Sequence, residues 1–398
     1  MHTLIYFHDA ALAHSQYLLR AFAQNPNISK LTVVYPEGRG QDEIFSAGGD
    51  SSVTNLPNAF EMLGVPSSHL RAKWGNFFDL QKVIATQKPD YVIVFDEAYS
   101  INTFLIGLAV KASGLKIPVV CYGFENIEQS PPFKWFLDDP LRRAWPFIRK
   151  TLRYVFIDKL LQPLRAQLVQ GALVSYRECA QVIEHTGWKL LMQEQWWGVD
   201  VDRFKAHSKA VEDKSSQESN VIAYVGRFVP EKGILDLLKA LTLLPDSYSL
   251  ILIGAGPQKD QIRSQVTKLN LNSRVRIFPP MSLDYLARQL QAVDVLALPS
   301  HTEVFWKEQY GRVLVEAMAA GIPVVGSRSG AIPYVIGDNL LTFDEGDCAG
   351  ICNAIQVALN MSSDQCQQLQ VRAEQGSAQQ FAQAYIDLYQ QLLPSVSS

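Results

Sequence analysis

Short runs of β-branched and other apolar residues recur along the chain, and each is followed by a segment with helical spacing of its apolar residues. In the first half the predicted strands are residues 4–7, 31–35, 91–95, 118–121 and 172–175. In the second half they are residues 221–225, 250–253, 275–278, 293–298 and 323–325. Nearly continuous apolar strands that alternate with helices are typical of parallel sheets covered on both faces. The pattern therefore predicts an α/β fold.

Two sheets fit this pattern better than one. A chain of 398 residues is long for a single core, and residues 211–220 form a polar break with the composition of a linker. We expect an N-terminal domain of residues 1–200, a C-terminal domain of residues 201–377, and a cleft faced by the carboxyl ends of both sets of strands. A last helix over residues 378–393 has an apolar face, which we expect to pack back on the first domain.

The segment that begins at Glu308 carries the most informative chemistry. Glu308 and Glu316 lie eight residues apart around the start of an otherwise apolar helix, which corresponds to roughly 12 Å of helix axis. Backbone N–H groups of residues 309–311 would point at an anion between them, assisted by the helix dipole. The spacing suits a ribose, a diphosphate and a hexose, so it predicts a nucleotide-sugar site. The alternative is that Glu316 is a structural ion-pair partner and Glu308 a solvated loop residue.

Two cations follow the first strand of the second half. Gly226 permits a tight turn at the strand end, and Arg227 and Lys232 lie five residues apart in the following loop. An arginine presents a planar fork to phosphate oxygens, and a lysine adds a movable point charge. We interpret the pair as a phosphate site, the alternative being two solvated loop cations.

The next strand ends in a glycine-containing loop with Gly254 and Gly256. It matches a dinucleotide fingerprint weakly, because Lys259 takes the place of the third glycine and Arg274 stands where an acidic residue is expected. A loop that approaches a phosphate remains plausible, and a nicotinamide-cofactor site does not. Phe278 closes the following strand and either flanks a base or belongs to a plain turn.

Together, these motifs resemble those of retaining glycosyltransferases of family 4, the glycosyl transferases group 1, which have the GT-B fold of two facing Rossmann-like domains. The resemblance covers residues 221–345 well, and residues 198–204 are similar to the interdomain segment of that family. It implies transfer of a sugar, most typically a hexose, from a UDP- or GDP-sugar with retention at the anomeric carbon. It also implies that no cofactor or metal ion is required, because the leaving phosphate itself takes the proton of the acceptor.

The same resemblance assigns roles to individual residues. Arg227 and Lys232 would hold the donor diphosphate, Glu308 would bond the sugar hydroxyls, and Glu316 would bond the ribose. Backbone amides would come from the residues between the two glutamates, namely Gln309, Tyr310, Gly311 and Arg312.

The first half is less informative about its ligand. Many family members carry a glycine pair after the first strand, whereas here the chain has residues 8–14 without glycine. Many also carry a histidine after the strand that corresponds to residues 118–121. Glu125 and Asn126 are the candidates for that position, to accept a proton or bond sugar hydroxyls, or else they are loop residues that bond their own backbone. Asp96 and Glu97, at another strand end, are candidates for acceptor binding by position.

Residues 133–165 differ from the rest in composition, with eight Lys or Arg against three Asp and seven interleaved aromatic residues. Such a mixture suits the headgroup level of an anionic membrane, and peripheral contact there would favour a lipid-linked glycan acceptor. The alternative is a helical excursion whose aromatic residues fill a core. Nucleic acid is the weaker interpretation, since the net charge of the whole chain is −3.

Composition limits the remaining possibilities. The N-terminus has no basic segment of a signal peptide, and no apolar run approaches the length of a membrane span. Five cysteines without a metal-binding spacing favour reduced thiols in a cytoplasmic protein, peripheral to the inner face of the membrane if residues 133–165 bind there. The resemblance to the family implies an enzyme of bacterial cell-surface polysaccharide or glycolipid synthesis; the alternative is a catalytically silent GT-B protein that partners another transferase.

Overall fold

A computed structural model describes residues 1–10, 15–36, 59–68, 71–75, 77–127, 148, 166–185, 187–207, 220–304 and 306–396. The chain divides into two compact units. The first contains the described residues up to Trp196 together with those from Phe381 onwards, and the second is Trp197–Gln380. Most of the predicted linker, up to residue 219, and nearly all of the basic segment 133–165 lie outside the described residues.

The first unit is built on a parallel sheet of seven strands, in the order β3-β2-β1-β6-β7-β8-β9. Its strands are β1 His2–Tyr6, β2 Lys30–Pro36, β3 Ala59–Val65, β6 Tyr91–Val94, β7 Val119–Gly123, β8 Gly171–Val174 and β9 Leu191–Glu194. A separate antiparallel pair consists of β4 Ser67–Ser68 and β5 Arg71–Gly75. The described helices up to Trp196 are α1 Gln16–Gln24, α2 Phe77–Gln87, α3 Ile101–Ala112 and α4 Arg177–His185.

The second unit has a parallel sheet of six strands, in the order β12-β11-β10-β13-β14-β15. These strands are β10 Asn220–Val225, β11 Tyr248–Ile253, β12 Val275–Phe278, β13 Val295–Leu298, β14 Val324–Ser327 and β15 Thr342–Phe343. The helices are α5 Val201–Lys205, α6 Ile234–Leu243, α7 Lys259–Lys268, α8 Leu283–Leu290, α9 Arg312–Ala319, α10 Ile332–Ile336, α11 Cys348–Leu359 and α12 Ser363–Ala373. Short 3-10 turns cover Pro230–Lys232, Asn339–Leu341 and Glu374–Gly376.

The predicted fold class of two parallel α/β sheets is confirmed, and each of the ten predicted strands overlaps an observed one. Central strands such as β6 and β13 are buried at every position, which is why their sequences are uniformly apolar. The strands absent from the prediction include β3, β9 and β15, which lie at sheet edges, whereas β12, also at an edge, was predicted. On β9 no residue is buried, so its sequence carries no apolar run to detect.

The chain ends in α13, Ala378–Val396, whose residues from Phe381 onwards belong to the first unit. Its fully buried Tyr385 accepts a hydrogen bond at its carbonyl from the Tyr91 hydroxyl, over 3.1 Å, and donates its own hydroxyl to the carbonyl of Cys121, over 3.3 Å. Phe381 packs against the rings of Phe22 and Phe95. Among the described residues, no helix is long and apolar enough to cross a bilayer.

Candidate functional site

In each sheet the strand order reverses at one point. Strands on one side of this point come early in the chain, and the chain then continues with strands on the other side. In the second unit β10, β11 and β12 extend to one side, and β13 pairs with the other side of β10. In open parallel sheets, ligands bind at the carboxyl ends of the strands beside such a point. The loops after β10 and β13 are therefore the expected place for a ligand, and they carry Lys232 and Glu308.

Gly233 determines how the loop after β10 approaches β13. It has a φ of +63°, and a Cβ atom at this position would lie 1.8 Å from the carbonyl oxygen of Pro299. Only glycine satisfies both the left-handed backbone and this close approach. Beside it, the Glu231 carbonyl accepts the N–H of His301 over 2.8 Å, so the loop that carries Lys232 lies against the residues that follow β13.

Lys232 and Glu308 form a largely buried ion pair. The Lys232 Nζ lies 2.6 Å from Glu308 Oε2, and the two side chains are 12% and 9% exposed. Ser300, which follows β13 and is fully buried, donates its hydroxyl to the same Oε2 over 2.7 Å. The alternative interpretation of Glu308 as a solvated loop residue is wrong, because this carboxylate is buried and held from two sides.

The backbone of Glu308 is also fixed. Ala331 donates its N–H to the Glu308 carbonyl over 2.9 Å. Gly330, with a φ of +51°, packs so closely that a Cβ atom would lie 1.9 Å from that carbonyl oxygen. The segment after β14 therefore positions Glu308 independently of its side-chain contacts.

Trp306 covers the ammonium group of this ion pair. The Lys232 Nζ lies 4.8 Å from the centroid of the indole ring. Trp306 belongs to a short loop whose tip is closed by two backbone hydrogen bonds with Glu303, of 2.6 and 3.3 Å. Sequence reasoning missed this residue, because a tryptophan in a loop carries no signal of the lysine that it meets.

Glu316 lies on α9, which begins at Arg312 after Gly311 adopts a left-handed φ of +75°. The estimate of roughly 12 Å along one helix axis between Glu308 and Glu316 is wrong, because residues 308–311 precede the helix. Glu316 is 3% exposed, and its Oε1 lies 3.1 Å from Arg312 Nε. Burial raises the pKa of Glu316 above its ordinary value, and the Arg312 charge opposes this shift.

Arg227 lies in the same loop as Lys232, but its side chain is 51% exposed. Its Nη2 is 3.7 Å from Glu231 Oε1, and its carbonyl accepts a hydrogen bond from the Tyr224 hydroxyl over 2.8 Å. The convergence of Arg227 and Lys232 on one anion stays a prediction.

Gly226, Gly254 and Gly256 bring neighbouring loops into backbone contact. A Cβ atom on Gly254 would lie 1.9 Å from the Gly226 carbonyl oxygen, and one on Gly256 would lie 2.4 Å from that of Phe228. The Gly254 N–H donates to the carbonyl of Phe278 over 3.0 Å. Packing between the loops therefore explains why glycine occupies these positions. The contact of these glycines with a phosphate stays a prediction, and so does the contact of Phe278 with a base.

In the first unit, Asp96 and Glu97 follow β6, beside the point between β1 and β6 where the strand order of that sheet reverses. Glu97 is 5% exposed, and its Oε1 accepts the N–H groups of Phe124 and Glu125 over 2.7 and 2.6 Å. Desolvation raises the pKa of Glu97 well above its ordinary value, against the effect of these two hydrogen bonds. Glu97 thus anchors the loop that carries Glu125 and Asn126, a role that the sequence did not indicate.

The two candidate residues of that loop have different surroundings. Asn126 is 4% exposed and donates its side-chain N–H to the Tyr176 hydroxyl. Glu125 is half-buried. Their contact with a sugar stays a prediction.

In the parts of the chain that the structure describes, no group of three or more His, Cys, Asp or Glu side chains is arranged to hold a metal ion. An Asp-x-Asp sequence occurs at Asp200 and Asp202, near the start of the second unit. Asp200 caps α5 and pairs with Arg203 over 2.7 Å, and Asp202 accepts a hydrogen bond from Gln379 over 3.0 Å. All five cysteines lie in the described part as free thiols.

Residues 207–376 match the family model described as Glycosyl transferases group 1. The matched segment contains Lys232, Glu308, Glu316 and Trp306.

Curated relatives share part of this segment. The D-inositol 3-phosphate glycosyltransferase of Mycolicibacterium gilvum is 34% identical over 152 residues, which are 36% of this chain and 33% of the relative. A protein of the same name from Mycobacterium sp. (strain KMS) is 35% identical over 153 residues. The match spans about a third of the length of these relatives.

Solved structures resemble the chain over its full length. The Anabaena HepE structure in complex with UDP-glucose covers 100% of this chain and 99% of its own, with a TM-score of 0.61 and 17% identity. The lipopolysaccharide outer core galactosyltransferase WaaB, in its apo form, covers 97% and 98% with a TM-score of 0.65 and 16% identity. At these identities the likeness establishes the fold, and the predicted GT-B architecture is confirmed.

Proposed function

Because residues 207–376 form a domain of the glycosyl transferases group 1 family, we propose that the protein is a retaining glycosyltransferase. It moves a sugar, a hexose in our proposal, from a UDP- or GDP-sugar to an acceptor hydroxyl. The observation that carries this proposal is the Lys232–Glu308 ion pair at the carboxyl ends of β10 and β13, joined by Ser300. A cation and a polyol-binding carboxylate lie side by side there, as a sugar diphosphate requires.

The proposed reaction develops negative charge on the departing diphosphate. The bond between the anomeric carbon and the phosphate oxygen breaks, and the acceptor oxygen bonds to that carbon on the same face. The acceptor proton passes to an oxygen of the leaving phosphate. A cation held in place beside this phosphate stabilises the transition state more than the ground state, and we assign this task to Lys232, with Arg227 as a second cation.

The remaining roles follow the position of each residue in the second unit. Glu308 bonds the hydroxyl groups of the transferred sugar, and Glu316 bonds the ribose. The N-terminus of α9, at Gly311 and Arg312, offers backbone N–H groups to the diphosphate. Gln309 and Tyr310 connect Glu308 to this helix terminus.

We propose that transfer requires no metal ion, since Lys232 and Arg227 supply positive charge to the phosphate. Activity that survives EDTA supports this part of the proposal, and activity restored only by a divalent cation contradicts it.

The acceptor and the location are further parts of the proposal. A cell-surface glycan or glycolipid acceptor is supported by the structural neighbour WaaB, a galactosyltransferase of the lipopolysaccharide outer core. The basic and aromatic composition of residues 133–165 supports peripheral contact with the inner face of the membrane. Flotation with vesicles of phosphatidylcholine and 30% phosphatidylglycerol tests this contact, with pure phosphatidylcholine vesicles as the control. If the protein floats with neither kind of vesicle, the proposed membrane contact is contradicted.

The experiment that tests the function is release of nucleoside diphosphate from a panel of UDP- and GDP-hexoses. Isolated transferases hydrolyse their own donor slowly when water replaces the acceptor, so we expect one donor to be consumed. Lys232→Ala should abolish this release and Lys239→Ala, an exposed lysine of the same unit, should preserve it. Binding of nucleotide without consumption of any donor would favour the catalytically silent partner instead.

A further inference from the structure

The described residues between Ser300 and Glu308, which are 301–304 and 306–307, make several contacts that hold them near Lys232. At the base of this loop, the Ser300 hydroxyl donates to the Glu308 carboxylate over 2.7 Å. At its tip, Glu303 and Trp306 exchange backbone hydrogen bonds. On its flank, Thr302 bonds the Glu345 carboxylate through its N–H, over 2.7 Å, and through its hydroxyl, over 2.6 Å. The loop is therefore held at three places before any ligand binds.

This arrangement fixes where the indole of Trp306 lies. Its ring centroid is 4.8 Å from Lys232 Nζ, within the range of a cation–π interaction. Glu308 Oε2 contacts the same ammonium group at 2.6 Å. The ammonium thus has a carboxylate and an aromatic face as neighbours, and the Lys232 side chain as a whole is 12% exposed.

The consequence concerns the freedom of Lys232. A lysine side chain has many rotamers and a strongly hydrated head group, and both must be restricted before it serves as a fixed charge. The indole restricts the rotamers and displaces water from one side of the ammonium. An ammonium has three N–H donors, so it can contact Glu308 and a phosphate at the same time.

On these grounds we propose that Trp306 is a positioning residue that orients Lys232 toward the donor diphosphate. This inference rests on the proposed function of the site and adds a residue to it. Trp306 acts through Lys232 and needs no contact with the donor.

A double-mutant cycle tests the proposal with UDP and GDP as probes, whichever of the two binds. Trp306→Leu keeps an apolar side chain and removes the aromatic face, and it should weaken binding about tenfold. Trp306→Phe keeps a ring and should recover most of the affinity. In the Lys232→Ala background, Trp306→Leu should produce no additional loss, because the group through which it acts is absent.

Val304→Ala is the matched control, since Val304 is 49% exposed on the same loop, and this variant should bind as the wild type does. An equal loss from Trp306→Leu with and without Lys232 would overturn the positioning role and leave the proposed function intact. Failure of the wild-type protein to bind either nucleotide would overturn both.

Discussion

Lys232 Nζ lies 2.6 Å from Glu308 Oε2, although the two residues are 76 positions apart in the chain. The packing of Gly233 against Pro299 brings them together at the carboxyl ends of adjacent strands. A second cation, Arg312, neutralises the other glutamate of the segment, Glu316, at 3.1 Å. Each glutamate of the motif thus has a cation as a partner. A bound sugar nucleotide would share these groups, offering phosphate to the cations and hydroxyls to the carboxylates.

The Lys232–Glu308 pair should contribute to stability as well as to binding. Lys232→Ala leaves the Glu308 carboxylate buried without this cation, and removing one member of a buried pair costs about 3 kcal/mol. Urea denaturation should show a loss of about this size. The double variant Lys232→Met with Glu308→Gln should recover most of it, because no uncompensated charge remains. Lys239→Ala, which removes an exposed cation, should change the free energy of unfolding by less than about 0.5 kcal/mol. A loss no larger in Lys232→Ala than in Lys239→Ala would contradict the buried pairing.

A substitution of Glu316 tests its proposed hydrogen bond to the ribose. We expect Glu316→Gln to weaken binding of UDP or GDP, whichever of the two the protein binds, about tenfold, since a hydrogen bond to a charged acceptor becomes one to a neutral amide. Binding of the 2′,3′-dideoxy form of that nucleotide, which lacks both ribose hydroxyls, should be nearly unchanged by the substitution. Calorimetric titration of both nucleotides into both proteins measures this. Equal losses for the two nucleotides would assign Glu316 a structural role with Arg312.

Gly233 and Gly346 provide a matched pair of glycine substitutions in the second unit. Both have a left-handed φ, which is +63° at Gly233 and +78° at Gly346. A Cβ atom at Gly233 would clash with the Pro299 carbonyl, whereas one at Gly346 would have its nearest neighbour at 3.8 Å. Gly346→Ala should cost about 1–2 kcal/mol, the strain of the left-handed backbone alone. Gly233→Ala should cost clearly more and should also weaken nucleotide binding by displacing Lys232. Thermal unfolding measures both losses. Equal destabilisation of Gly233→Ala and Gly346→Ala would contradict the prediction.

Glu97 should make stability depend on pH. Its pKa is raised well above the ordinary value of 4.5 by burial, so the folded state holds a proton that the unfolded state has lost. Stability is therefore expected to fall as the pH rises from about 4.5 through the folded-state pKa. Glu97→Gln keeps an oxygen for the N–H groups of Phe124 and Glu125 and cannot ionise, so it should flatten this slope. Melting temperatures across this pH range measure the effect, with Glu178→Gln, an exposed carboxylate of α4, as the control. Identical slopes for wild type and Glu97→Gln would refute the assignment.

The sequence predicted the central strands of both large sheets and missed three strands at the sheet edges, although the edge strand β12 was predicted. β13 is apolar at each position because it lies inside its sheet, whereas β9 has no buried residue and therefore no pattern. The glutamate pair was visible because carboxylates are rare in an apolar segment. The distance between the two glutamates could not be predicted from helix geometry, because the helix begins only at Arg312, four residues after Glu308.

Contacts between distant parts of the chain were beyond the sequence. Trp306 stands two residues before Glu308, but its contact with Lys232 depends on how two loops pack. Glu97 is one of many glutamates, and its burial depends on the loop after β7 covering it. Hydrophobic periodicity describes the environment of an element and carries no information on which side chains of separate loops meet.

The most direct test of the central claim is calorimetric titration of UDP and GDP into wild-type protein, Lys232→Ala and Lys239→Ala, at a temperature where all three are folded. The account predicts that the wild type and Lys239→Ala bind one of these nucleotides with equal affinity, and that Lys232→Ala binds it at least about tenfold more weakly. Equal affinity in Lys232→Ala, or no binding of either nucleotide to the wild type, would contradict it.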